Sequence, residues 1–254
     1  MDVHDSLHSC RVGGEVRWNG VNEVMRERCP GASIRLRHET STGTEALLAA
    51  NGASPEEIQA RDSLLGPHPA HSQFSTALFD SAADAVVLSI LPDVFTELVR
   101  QRQEGYLFFP YGRDAWPAAE RDWLARQFEP LGKLDATATM ANLERIVARV
   151  RQSSQAPVLI YNLSPHIPGE WIHCFEGLAD SLSLRIRQFN LALVELSART
   201  GASIVDVEGV VAAAGAARMK LDALHLTPDG HALVAEEVVR ILDDLGVVTM
   251  RREI

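Results

Sequence analysis

Asp222-Ala-Leu-His225-Leu-Thr227-Pro228-Asp-Gly230-His231, running without a break into Ala232-Leu-Val-Ala-Glu-Glu-Val-Val-Arg-Ile-Leu242, is the stretch whose reading decides the fold. Thr227 is a natural N-cap and Pro228 suits the first position of a helix, so the apolar run behind them predicts a helix opening here. An Asp three residues before a His, at the mouth of that helix, is a compact acid–base pair. The carboxylate can hold the imidazole in one tautomer and stabilise its cation. His231 lies inside the helix start and reads as structural.

Upstream, strands and helices alternate. Met140, Leu143, Ile146, Val147 and Val150 mark one face of a helix, and Pro157-Val-Leu-Ile-Tyr161 is a short apolar strand. A loop, Asn162 to Gly169, separates it from a long helix carrying Leu178, Leu182, Ile186, Phe189, Leu193 and Leu196. Gly201 stops that helix, and Ser203-Ile-Val-Asp-Val207 reads as the next strand. In the first half, Val21 to Arg28 predicts a helix, Ser33 to Arg37 a modest strand and Ala85 to Ile90 a strong one. This alternation implies a parallel sheet covered on both faces, with ligands beyond the carboxyl ends of its strands. Asp222 and His225 would stand at that edge. Two segments break the rhythm: Asn51 to Asp80, with a short helix expected over Pro55 to Leu65, and the aromatic-rich Gly105 to Gly132. The second reads as a lid or cap on one domain, 1–254, although such clusters are also common as small satellite cores.

Composition narrows the function. The chain has 254 residues, 46% hydrophobic and 23% charged, and a net charge of −10, which disfavours nucleic acid and anionic membrane as partners. No signal peptide or membrane-length apolar run is visible, and Cys10, Cys29 and Cys174 match no disulfide or metal spacing. A cytoplasmic protein with reduced thiols is expected. The nine histidines are scattered, and His68 and His71 lack a Glu at helical spacing, so neither metal nor cofactor is expected.

The block from Asp222 to His231 resembles the last sequence block of the SGNH (GDSL) hydrolases, in which Asp and His complete a catalytic triad. His4-Asp5-Ser6-Leu7 stands where that family has Gly-Asp-Ser-Leu, Trp18 follows at a fitting distance, and Thr40-Ser-Thr-Gly43-Thr44 looks like its second block. The resemblance implies a three-layer α/β/α sandwich around a five-stranded parallel sheet. It also implies Ser6 as nucleophile, His225 as general base and acid, Asp222 as its orienting partner, and the Gly43 N–H as a donor to the oxyanion.

The chain departs from that pattern at three points. Leu91-Pro92-Asp93-Val94 replaces Gly-x-Asn-Asp, which puts an acceptor-only carboxylate, Asp93, at the substrate side where the family has a donor. Asn162, at the end of the next strand, is a candidate substitute. His4 replaces the glycine before Asp-Ser. The segment ahead of Ser6 has only Met1 and Val3 as apolar residues, thin for a central strand. A rival alignment makes Asp2 to Leu7 the strand and His8-Ser9-Cys10-Arg11 the turn, with Cys10 as nucleophile. The expected activity is hydrolysis of a small acyl ester. The alternatives are acyl transfer on the same fold, and a ligand-binding module that kept the fold without the chemistry.

Overall fold

The computed structural model describes residues 10–12, 15–17, 20–32, 43–80, 83–178 and 181–250. In chain order the elements begin with β1 (Cys10–Val12), β2 (Glu15–Arg17), α1 (Val21–Arg28), α2 (Thr44–Ala49), β3 (Val86–Ser89) and α3 (Leu91–Phe95). There follow β4 (Leu98–Gln101), β5 (Leu107–Phe108), α4 (Ala118–Gln127), β6 (Phe128–Gly132), α5 (Ala136–Ser153) and β7 (Val158–Tyr161). The chain then forms α6 (Leu182–Thr200), β8 (Ser203–Val205), α7 (Val207–Ala214) and α8 (Pro228–Asp244). Short helical turns lie at Glu56–Gln59, Ala70–Gln73, Ala77–Asp80 and Ala216–Met219. Two compact units result, each with its own interior.

The first unit comprises the described parts of Met1–His38, Asp84–Ser89 and Ala156–Ile254. Its sheet runs β3-β7-β8, all parallel, with Val86 opposite Val158, Ser89 opposite Tyr161 and Tyr161 opposite Val205. The central strand β7 is the unbroken apolar run expected of a strand covered on both faces, and Val158 to Tyr161 are all buried. Leu159 and Tyr161 share a core with Val21 and Met25 of α1, Val207 and Val211 of α7, and Val234, Val238 and Val239 of α8. Val158 and Ile160 alternate to the other face and are equally buried. α6 turns Ile186, Phe189, Leu193 and Leu196 inward, the i, i+3, i+4 stripe of an amphipathic helix. It starts at a Ser181 N-cap, so Leu178 precedes the helix and is exposed.

The parallel sheet has three strands among the described residues, where the sequence led us to expect five. Both missing expectations, the strand before Ser6 or Cys10 and the one at Ser33 to Arg37, lie outside the described residues. The strand expected over Ser203 to Val207 ends at Val205, because Asp206 caps α7 by accepting from Gly209 N at 3.0 Å. β1 and β2 form a separate antiparallel pair.

The second unit comprises the described parts of Glu39–Ala83 and Ile90–Gln155. Here β5-β4-β6 form an antiparallel sheet, with Val99 opposite Phe108 and Gln101 opposite Phe128. The aromatic segment supplies most of its interior: Phe108, Trp116, Leu124 and Phe128 pack with Ile58, Leu65 and Phe74. Phe108 and Phe128 meet edge to face at 5.0 Å between centroids. At the rim, the Arg61 guanidinium lies 3.6 Å over the Trp123 ring and also pairs with Glu120 at 2.6 Å.

Candidate active site

The segment between Ala216–Met219 and α8 closes on itself. Lys220 and Leu226 form an antiparallel bridge, Leu221 N donates to His225 O at 2.9 Å, and Thr227 N donates to Met219 O at 2.9 Å. Thr227 caps α8 as expected, its Oγ1 accepting from Gly230 N at 3.2 Å, with Pro228 at the first helical position. Gly230 belongs there because a Cβ would stand 2.8 Å from Met219 O. His231 is buried in the first turn of α8.

Within this loop Asp222 and His225 meet. Asp222 Oδ1 accepts from Leu224 N at 2.7 Å and His225 N at 2.8 Å, and Oδ2 lies 2.5 Å from His225 Nδ1. Burial works to raise the Asp222 carboxyl, but the His225 and Leu224 backbone donors and the imidazole outweigh it and hold the group down at about 2. The carboxylate is therefore ionised at neutral pH. Both side chains remain in contact with solvent, 54% exposed for Asp222 and 38% for His225, so the pair can reach a ligand.

Buried polar groups support the loop from the sheet side. Lys220 is only 7% exposed, and its Nζ donates to Ser164 O at 3.2 Å and Ala223 O at 2.9 Å. Ser164 follows the carboxyl end of β7, so the acid–base loop is anchored at the sheet edge where ligands of parallel sheets sit. Desolvation pushes the Lys220 ammonium down to about 8, against the pull of the Asp222 charge. Asn162 is committed to structure. Its Nδ2 donates to Asp206 Oδ1 at 2.7 Å and its Oδ1 accepts from Glu208 N at 3.0 Å, joining the ends of β7 and β8. Asn190 continues the network, donating to Leu163 O at 2.6 Å and Glu208 Oε2 at 2.7 Å.

Gly43 and Asp93 also come together, within the second unit. Asp93 is 3% exposed, and its Oδ1 accepts from Thr44 N, the first residue of α2, at 2.9 Å. Gly43 has φ +131, and a Cβ there would stand 2.9 Å from Asp93 Oδ1. The carboxylate thus holds the turn that presents Gly43, as an acceptor and not as a donor. Burial pushes the Asp93 carboxyl up, opposed by the hydrogen bonds from Thr44.

Ser6 lies outside the described residues. Cys10 is the first residue of β1, paired with Arg17 in a hairpin, where the rival alignment requires a turn after a strand. Among the described residues no group of three or more His, Cys, Asp or Glu stands together to hold a metal ion, and no helix is long and apolar enough to cross a membrane. A cavity of about 280 Å³ in the second unit is lined by Ala46, Ala50, Pro55, Phe74 and Tyr106 among others. Its lining includes none of Asp222, His225, Gly43 and Asp93.

No protein-family model matches the sequence, and no curated protein does. Solved structures do. An Axe2 mutant, an acetyl-xylooligosaccharide esterase from Geobacillus Stearmophilus, superposes with a TM-score of 0.52 at 13% identity, over 96% of this chain and 88% of that one. The chain has the fold of the SGNH hydrolases. It is also similar to an aryl esterase from M. Smegmatis, with a TM-score of 0.48, 11% identity and 94% of each chain covered. A lipolytic G-D-S-L family protein from Veillonella parvula matches at 16% identity and a TM-score of 0.33 over 42% of this chain. The match spans about half, 54%, of that protein's length.

Proposed function

We propose that this SGNH-fold protein is a serine ester hydrolase that removes a small acyl group from a polar alcohol through an acyl-enzyme. The observation that carries the proposal is the Asp222–His225 pair: an ionised, backbone-held carboxylate at 2.5 Å from Nδ1 of a solvent-reachable imidazole. An imidazole so oriented carries its proton on Nδ1 and offers Nε2 as a base. Ser6 Oγ attacks the ester carbonyl while Nε2 takes its proton. The tetrahedral intermediate collapses, and the imidazolium returns that proton to the departing alkoxide. Water, activated by the same nitrogen, then cleaves the acyl-enzyme and restores Ser6. Asp222 stabilises the imidazolium in both halves.

Gly43 N–H is the proposed oxyanion donor, and Asp93 acts behind it by holding the turn. The likeness in fold to an acetyl-xylooligosaccharide esterase favours acetyl as the acyl group and a carbohydrate hydroxyl as the alcohol. The hairpin position of Cys10 favours Ser6 over it as nucleophile.

The test is intact-mass spectrometry after treatment with a fluorophosphonate, on wild type, Ser6→Ala and Cys10→Ala. One adduct, lost only in Ser6→Ala, is expected. Loss only in Cys10→Ala would move the nucleophile to the thiol, and a wild type that gains no adduct would overturn the serine mechanism.

A further inference from the structure

We propose that Lys220 is a positioning residue of this site, a buried ammonium that fixes the His225 loop to the carboxyl end of β7. The inference rests on the reading of His225 as the acid–base residue, but its geometry is independent of the substrate. Lys220 is 7% exposed, and its Nζ spends its hydrogen bonds on two main-chain carbonyls, Ser164 O and Ala223 O. Among the described residues no carboxylate forms an ion pair with it, although Asp222 attracts it from two residues away. A buried ammonium without a salt bridge is costly, so a lysine kept only for packing would be poorly suited to this place.

The loop shows what the charge does. Four hydrogen bonds tie the loop to itself between Lys220 and His225. Leu221 N is bound to His225 O, Leu224 N and His225 N to Asp222 Oδ1, and Ala223 O to Lys220 Nζ. All of these bonds lie within the loop and could move with it as a rigid body. The bond from Nζ to Ser164 O reaches past the loop to the sheet side, 56 positions away in sequence. Lysine suits the task because its long stem carries three donors, enough to serve both carbonyls. Removing the ammonium would leave two inward carbonyls without that donor and free the imidazole to shift relative to the strand ends. A displacement of about 1 Å in such a group costs roughly 10²-fold in turnover.

The experiment compares wild type with Lys220→Met, which keeps length and apolar bulk. Two readouts are taken: steady-state hydrolysis of 4-nitrophenyl acetate, and the downfield proton resonance of His225 Nδ1–H, assigned by its absence in His225→Gln. We expect kcat to fall roughly 10²-fold with KM within about twofold, and the resonance to broaden or vanish. A Lys220→Met protein that keeps both kcat and the resonance would overturn the proposal. Should that variant fail to fold, wild-type protein labelled with ¹⁵N and ¹³C decides the matter. Hydrogen-bond couplings from Lys220 Nζ to the Ser164 and Ala223 carbonyls support the clamp, and an ammonium exchanging freely with solvent refutes it. If the wild type turns over no ester, the hydrolase reading fails while the resonances still judge the clamp.

Discussion

Replacing Asp222 by Asn tests the acid–base pair with the least change in shape. In the native loop two backbone donors, Leu224 N at 2.7 Å and His225 N at 2.8 Å, claim Oδ1, and Oδ2 faces Nδ1 at 2.5 Å. Asparagine has one acceptor oxygen. The two backbone donors retain it, which turns the NH₂ group toward Nδ1. A donor facing Nδ1 selects the other tautomer, with the proton on Nε2, and that imidazole cannot take a proton from Ser6. Where a triad suffers this change with its geometry intact, kcat falls about 10⁴-fold, or about 5.4 kcal/mol of barrier. The assay is 4-nitrophenyl acetate hydrolysis at neutral pH, with thermal unfolding followed in parallel. The unfolding midpoint should move little, because the loop's backbone hydrogen bonds survive and both side chains are substantially exposed. The carboxyl of Asp222 stays ionised down to about 2, so its own protonation does not account for any wild-type activity lost between pH 7 and 5. An Asp222→Asn protein that kept more than about a tenth of wild-type kcat would refute the tautomer argument.

Two further expectations concern the turn at Gly43. Gly43→Ala forces a Cβ to 2.9 Å from Asp93 Oδ1 at φ +131, a backbone conformation that costs a non-glycine residue about 1–3 kcal/mol. Urea unfolding should report a loss of that size, and a variant as stable as wild type would show that the turn relaxes freely. For Asp93 the sign follows from its raised carboxyl. The folded protein holds that proton more tightly than the unfolded chain, so its contribution is complete below the ordinary value of 3.8 and is lost as pH rises through the folded value. Asp93→Asn keeps an acceptor for Thr44 N without the buried charge. Its stability relative to wild type should therefore rise from pH 4 to pH 7, and a difference that does not change with pH would contradict the burial argument.

What the sequence disclosed is what local chemistry controls. Thr227 and Pro228 announce α8, Gly201 ends α6, and the uniformly apolar run at β7 marks a strand covered on both faces. Asp222 and His225 are three residues apart, so their meeting needed only the right loop. The second unit was hidden for the opposite reason. β4, β5 and β6 are short and partly polar, and become strands through partners such as Val99 with Phe108 and Gln101 with Phe128. Asp93 was read by its position after β3, but its role is set by Thr44, 49 residues earlier. Asn162 looked like a spare donor at a strand end, yet Asp206 and Glu208 had already engaged its amide. No local pattern separates Lys220 from a surface lysine, since its burial depends on Ser164 in a distant loop.

These long-range contacts divide the labour at the site. The residues proposed to do chemistry in the first unit, Asp222 and His225, are partly exposed, whereas Lys220, Asn162 and Asn190 are nearly inaccessible. An exposed ion pair is ordinarily worth little and would wander among rotamers. Here the carboxylate is fixed by peptide donors and the loop by a buried ammonium, so ordering is supplied by groups other than the exposed pair itself. Precision in a loop-borne site has to come from such support, because the loop itself has no ladder of its own. For the same reason, substitutions in the buried layer should disturb turnover more than their distance from the imidazole suggests. Lys220 is where that effect should be largest, as its Nζ joins the loop to the end of β7 directly.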